Sequence, residues 1–259
     1  MKKWMLTYSA ASEKGSRDTN QDNLRVGAAH SYFDMESPVW VEGCMEAQSP
    51  EVFCVCDGIG GEALGDVAAM TALDALHQTL SSPSSGEKPS LTELVLRAIE
   101  HAQSRVFGLY RAFHRNGGCT LSLVAVHQTS YVAVNIGDSP IFLAKKGDSE
   151  LEELSCRHTL GWKKRDMGLP TQPGDECCLM RYIGKPGRTA VQMAHVAEGT
   201  LEPEDCLLLC TDGVTDAFPA ERLRAAADSP ETLQALVKQA AKQEHSDNCT
   251  AICLKAAAI

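Results

Sequence analysis

The chain has no apolar stretch that reaches the ~18 residues a membrane-crossing helix needs. Its opening, Met-Lys-Lys-Trp-Met-Leu-Thr-Tyr, is too short and too polar to read as a signal peptide, so no membrane partner is expected. Basic residues are scarce: 24 Lys and Arg stand against 34 Asp and Glu, a net charge of −10. That balance argues against nucleic acid, whose phosphates would be repelled, and an anionic substrate would need cations supplied locally. Cys-x-x-Cys does not occur among the 11 cysteines, which removes zinc-finger and thioredoxin patterns. Cys54 with Cys56, and Cys249 with Cys253, recur instead within apolar runs, as small buried hydrophobes do in a reducing, cytoplasmic setting. Gly-x-Ser-x-Gly, Walker A and His-Glu-x-x-His are all missing, so the corresponding hydrolase, nucleotide and zinc chemistries find no support. No fixed-period repeat, low-complexity tract or long linker divides the 259 residues, and one domain over 1–259 is expected.

What is present is organised around residues 52–61, Val-Phe-Cys-Val-Cys-Asp-Gly-Ile-Gly-Gly. Residues 52–56 form a short apolar run of β-favouring types, the mark of a buried strand. The run ends on Asp57, which places a carboxylate at a rigid strand terminus. Gly58, Gly60 and Gly61 are expected to turn the backbone with positive φ, and Glu62 to begin a helix ending near Leu80. Gly58-x-Gly60-x-x-Ala63 also fits a dinucleotide fingerprint. That reading would set Asp57 against a pyrophosphate, and it needs a second parallel strand where the sequence predicts a second helix.

Ser90-x-x-Glu93 is a capping box for that second helix, and Asn116-Gly117-Gly118 stops it. Strands are expected at 6–9, 24–26, 120–126, 131–136, 141–144, 151–154, 177–183, 191–196, 206–210 and 249–254. Residues 28–50 lack a clear period. A helix is expected from about Pro219, and Ser229 with Pro230 starts another. Residues 156–180 read as an irregular, charged, mobile flap. His158 and His245 are expected to face solvent. Short connections imply antiparallel pairing, and the mixture of such strands with paired helices predicts an α+β layered fold.

The chemical signal is a recurrence. Val-Phe-Cys-Val-Cys-Asp57-Gly and Leu-Leu-Leu-Cys-Thr-Asp212-Gly share one grammar of buried strand, aspartate and glycine. Val-Ala-Val-Asn-Ile-Gly-Asp138 is a looser third case, while Asp22 and Asp247 each sit just before a strand. Any one of these alone reads as a turn residue. If the strand ends meet, the carboxylates repel one another and must be protonated or bridged by cations. An all-oxygen donor set selects Mg²⁺ or Mn²⁺ over zinc, and two such ions activate water and clamp a phosphoryl oxygen. Arg17, in the loop that leads to Asp22, offers a planar fork for the remaining phosphate oxygens; its plainer reading is a surface ion pair.

Six pieces in order carry a resemblance: Arg17-x-x-Asn20-Gln21-Asp22, Asp57-Gly-Ile-Gly-Gly61, Gly118-Cys-Thr120, Gly137-Asp138-Ser139, Thr211-Asp212-Gly213 and Asp247-Asn248. They span nearly the whole chain, which resembles a bacterial member of the metal-dependent (type 2C, PPM) serine/threonine protein phosphatases. The resemblance implies a four-layer α-β-β-α sandwich, two antiparallel sheets flanked by helix pairs. It implies a dinuclear Mn²⁺ or Mg²⁺ centre in which Asp57 bridges both ions, Asp212 and Asp247 complete one site, and Asp22 with the Gly58 carbonyl serves the other. Asp138, sharing Asp212, would hold a weaker third ion. Arg17 would bind the substrate phosphate, and water activated between the ions would attack phosphorus without a phosphoenzyme. Catalysis would rest on Asp57, Asp212 and Arg17. The implied partners are proteins phosphorylated on Ser or Thr, including a cognate kinase or its substrates. Ile59 stands where many eukaryotic members have histidine, so leaving-group protonation would fall to a water at the ions. Pro140 and Cys119 depart from the frequent Arg and Thr, and residues 156–180 match the variable flap. The rival reading is a non-catalytic regulatory module on the same fold.

Overall fold

The computed structural model describes residues 4–27, 37–59, 64–81 and 89–258. In chain order the elements are β1 (Trp4–Glu13), β2 (Asp22–Val26), β3 (Val39–Glu46), β4 (Glu51–Ile59), α1 (Gly65–Leu80), α2 (Leu91–Ala112), β5 (Gly118–Cys119), β6 (Leu121–His127), β7 (Ser130–Ile136), β8 (Ile141–Ala144) and β9 (Glu152–Glu153). Then follow α3 (Leu160–Asp166), α4 (Ala190–Met193), β10 (His195–Thr200), β11 (Cys206–Cys210), α5 (Asp212–Thr215), α6 (Ala220–Ala226), α7 (Pro230–Ala241) and β12 (Cys249–Ala258). One sheet runs β3-β1-β12-β11-β8-β9. The other runs β10-β7-β6-β4-β2, with β5 added to β4.

Side-chain alternation along the strands sets the layers. Phe53 and Val55 of β4 meet Leu24, Val124, Leu207, Leu209 and Ile252 between the two sheets. Their neighbours Val52, Cys54 and Cys56 turn the other way, onto Ala68, Ala72 and Leu76 of α1 and Ile99 of α2. On the far side, Leu208, Cys210, Cys249 and Ala251 meet Leu223 of α6 and Leu233 and Val237 of α7. Three apolar seams therefore hold four layers in the order helix pair, sheet, sheet, helix pair, as expected. Each fully buried Leu, Val or Phe in a seam contributes roughly 1.5–3 kcal/mol, so the strands that carry the acids are anchored by the core. The paired cysteines are ordinary members of the two helix-facing seams.

Local signals hold at the helix starts. Ser90 and Glu93 complete their reciprocal cap, and Ser229 accepts from the Thr232 amide with Pro230 behind it. Several expectations are corrected. Residues 177–183 form no strand; Leu179 and Ile183 make only single bridges, to Thr159 and Cys119. Residues 191–196 divide between the capped turn α4 and the start of β10, because Thr189 and Gln192 form a capping box there. Residues 156–180 contain the helix α3, capped by Thr159. The 151–154 strand shrinks to β9. Helix α1 is described from Gly65; Gly60, Gly61 and Glu62 lie outside the described residues, as do 28–36 and 82–88. All strand pairings among the described residues are antiparallel, so the parallel unit that a dinucleotide site requires is not formed there. No helix of the described residues is long and apolar enough to cross a membrane.

Candidate metal centre

Register brings the first two acids together. In the β2–β4 ladder Asp22 stands directly opposite Asp57. β4 continues through Asp57 because its backbone is gripped on both sides: the Thr120 hydroxyl accepts from the Asp57 amide at 2.9 Å, the Thr120 amide donates to the Asp57 carbonyl at 2.8 Å, and the Gly58 amide donates to the Gln21 carbonyl at 3.1 Å. Gly58 does not take positive φ; it is extended strand. It must be glycine for a different reason, since a Cβ there would lie 2.2 Å from the Gly65 carbonyl oxygen at the start of α1. Thr120 in turn shares a hydroxyl bond of 2.8 Å with Ser139, the residue after Asp138.

The other sheet delivers Asp212 and Asp247 by the same logic. β11 ends at Cys210, and Thr211 is held to β12 by its amide on the Thr250 carbonyl (2.9 Å) and by the Thr250 amide on its hydroxyl (3.0 Å). The same Thr211 hydroxyl donates to Asp22 Oδ2 at 2.8 Å, joining the two sheets across the mouth. Asn248 ties the loop carrying Arg17 to the loop carrying Asp247. It accepts from the Gln21 amide (2.8 Å) and donates to the carbonyls of Lys14 (2.8 Å) and Thr19 (3.0 Å). Gly213 passes so close that a Cβ would meet the Asn248 carbonyl oxygen at 2.0 Å. These scaffold residues stood in the quoted motifs without a role; a hydroxyl or amide beside each acid was the available signal.

Electrostatics binds the acids into one group. Burial first, then the carboxylates of Asp22, Asp212, Asp138 and Asp247, hold the Asp57 carboxyl well above the usual range. Asp212 is pushed up to about 8 by burial and then by Asp138, Asp22, Asp247 and Asp216. Asp22 rises to about 7, chiefly by burial, against the opposing hydroxyls of Thr250 and Thr211. Burial lifts Asp138 to about 6. Asp216, one turn beyond Asp212, was missed in the sequence although it follows in the same run; burial raises it as well. Asp212, Asp216 and Asp247 line a cleft of about 220 Å³.

The oxygens present suit a hard divalent cation. Asp22 Oδ1 and Asp138 Oδ1 are buried and lack a hydrogen-bond partner among the described residues, and such orphaned acceptors are costly unless something positive meets them. Among those same residues no three acidic, thiol or imidazole groups are closed into a ligating cluster. Two carboxylates are engaged elsewhere: Asp22 by Thr211, and Asp247 by the Arg17 guanidinium at 2.6 Å. Arg17 is thus on the acids, in the ion pair that was its plainer reading. His245 is exposed as expected. His158 is not: it is buried, its Nδ1 accepting from the Gly137 amide at 3.1 Å and its own amide bonding the Gly137 carbonyl at 2.9 Å. Burial, with Arg181 and His195 beside it, drives its pKa down to about 3, so the ring is neutral and braces the turn that carries Asp138.

The sequence profile described as Protein phosphatase 2C matches residues 43–252. The chain is 27% identical over 194 residues to the serine/threonine phosphatase stp of Listeria monocytogenes, covering 70% of this chain and 73% of that protein. The structure of the S. agalactiae serine/threonine phosphatase superposes with a TM-score of 0.79 at 19% identity, over 96% of this chain and 99% of that one. The catalytic domain of the serine/threonine protein phosphatase PstP, determined with two manganese ions, superposes with a TM-score of 0.76 at 22% identity, over 98% and 99% of the two chains.

Proposed function

The chain belongs to the protein phosphatase 2C family, and from that membership we propose that the acid-lined mouth is the metal centre of a phosphoserine/phosphothreonine protein phosphatase. The observation that carries the reading is geometric: Asp22 stands opposite Asp57 in the β2–β4 ladder and takes a 2.8 Å hydrogen bond from the hydroxyl of Thr211, the residue before Asp212 on the other sheet. Asp22, Asp57, Asp212 and Asp247, with the Gly58 carbonyl, would hold two Mn²⁺ or Mg²⁺ ions, and Asp138 a third. When bound, such ions neutralise the crowded carboxylates and lower the pKa of water at a phosphate ester. The protein's own part is positional. The β2–β4 register keeps Asp22 against Asp57, and Thr211 and Asn248 hold the opposite rim. Arg17 stands within a side-chain swing of the acids; its fork would orient the substrate's phosphate oxygens once Asp247 is drawn to a cation.

The chain would act as one domain, with residues 156–180 as the variable flap. Its substrates would be phosphorylated proteins, among them a cognate kinase or that kinase's targets. The eleven cysteines are free thiols, seven of them buried, which suits a reducing cytoplasm. Purified protein should hydrolyse a phosphothreonine peptide when Mn²⁺ is added and stop when EDTA removes it. Hydrolysis indifferent to both would contradict the reading.

A further inference from the structure

Beside the acids lies a cavity of the opposite charge. It holds about 470 Å³ and is lined by Arg157, Lys163, Arg181, Lys185, Arg188 and Trp162, with Asp166 its acidic member among the described residues. In a chain of net charge −10 this is a local reversal of sign, and a concave wall of one sign concentrates counter-charged ligands.

Four of the five cations that line it have no ion-pair partner among the described residues. Helix α3 carries Lys163, Lys164 and Arg165 in a row. Lys164 pairs with Asp175 at 2.7 Å and Arg165 with Glu176, while Lys163 lines the cavity with no acidic partner among the described residues. Arg181 donates to the Met193 carbonyl at 3.0 Å, and Lys185 lies over the Tyr182 ring at 5.2 Å. Neither these two nor Arg188 has a carboxylate within ion-pair distance among the described residues. Arg157 approaches Glu153 only to 3.8 Å.

The cavity is also fastened to the acidic mouth. His158, one of its lining residues, exchanges two backbone-directed hydrogen bonds with Gly137, next to Asp138. A polypeptide leaving the acids on the Asp138 side would lay its flanking residues over this cavity. That continuity favours an occupant shared with the acids, the substrate chain, over a free nucleotide.

Resting on the phosphatase reading, we propose that this cavity is an anion subsite that selects phosphoproteins carrying acidic or additional phosphorylated residues beside the one that is cleaved. Arginine and lysine donors would meet those carboxylates or phosphates.

The test compares three peptides sharing one phosphothreonine: one with neutral flanks, one with acidic flanks, one with a second phosphoserine. The Mn²⁺-loaded protein should favour the two anionic peptides by about tenfold or more in kcat/KM, through KM, and the preference should shrink in high salt. In Lys163→Glu/Arg188→Glu, both exposed positions, the ratio should fall to about one or invert. A ratio near one in the wild type, or one unaltered by the charge reversal, overturns the proposal. Anisotropy of a labelled diphosphopeptide, read in EDTA, reports occupancy without turnover and should weaken by about tenfold in the variant. Displacement by ATP at concentrations far below those at which the peptide binds would assign the cavity to a small polyphosphate and overturn the proposal. Charge-dependent peptide binding without any Mn²⁺-dependent hydrolysis would support the subsite and count against the phosphatase reading instead.

Discussion

Asp57→Asn is expected to abolish Mn²⁺-dependent hydrolysis, by on the order of a thousandfold or more, equivalent to about 4 kcal/mol of transition-state stabilisation. It should also raise the unfolding temperature of the metal-free protein above neutral pH. The two effects share one cause. Asp57 is the carboxyl on which Asp22, Asp212, Asp138 and Asp247 all act, so its charge is what bridging cations would need and what the metal-free fold tolerates least. Asparagine keeps the shape and the β2–β4 register but removes that charge. Scanning calorimetry in EDTA beside a phosphopeptide assay separates this from misfolding, which would lower stability and activity together. A variant that is inactive and also less stable without metal would contradict the account.

The metal-free protein should lose stability as pH rises, and Mn²⁺ should restore it. Unfolded aspartates titrate near 3.9, whereas folded Asp138, Asp22 and Asp212 hold their protons up to about 6, 7 and 8. Between these limits the folded state binds more protons than the unfolded one, so the acids' contribution is intact below pH ~4 and lost as pH climbs through the folded values. The chelated protein should therefore melt at a lower temperature at pH 8.5 than at pH 5.5. Divalent ions compete with protons for the same oxygens. At a hundredfold excess over Kd they add about 2.7 kcal/mol, roughly 5–10 °C for a chain of this size. A melting temperature indifferent to both pH and Mn²⁺ would remove the crowded-acid argument.

Asp22 and Asp247 precede strands and were read from their motifs. Asp57 and Asp212 were legible instead because each comes at the end of a short apolar run whose members the seams bury on alternate faces, in β4 Phe53 and Val55 inward and Cys54 and Cys56 toward the helices. The paired helices and antiparallel sheets could be read for the same reason, and the caps at Ser90 and Ser229 were local chemistry. Residues 177–183 and 191–196 misled because apolar, β-favouring composition does not report long-range pairing. Ile183 packs under α2, and a Thr189–Gln192 cap turns the chain before β10 starts. His158 could not be read as buried, since its partner Gly137 is 21 residues distant and the bond is made to backbone. The glycine after Asp57 was rightly marked as special but for the wrong cause: contact with Gly65 at the start of α1, rather than backbone handedness, excludes a side chain. Asp216 lay in plain view four residues after Asp212 and carried no motif to draw notice.

The most direct measurement is calorimetric titration of the chelated, dialysed protein with Mn²⁺ near pH 7.5, in buffers of different ionisation enthalpy. The account predicts uptake of about two ions per chain with release of protons from the crowded carboxyls, and loss of that binding in Asp57→Asn. No uptake, or uptake unchanged by the substitution, would contradict it.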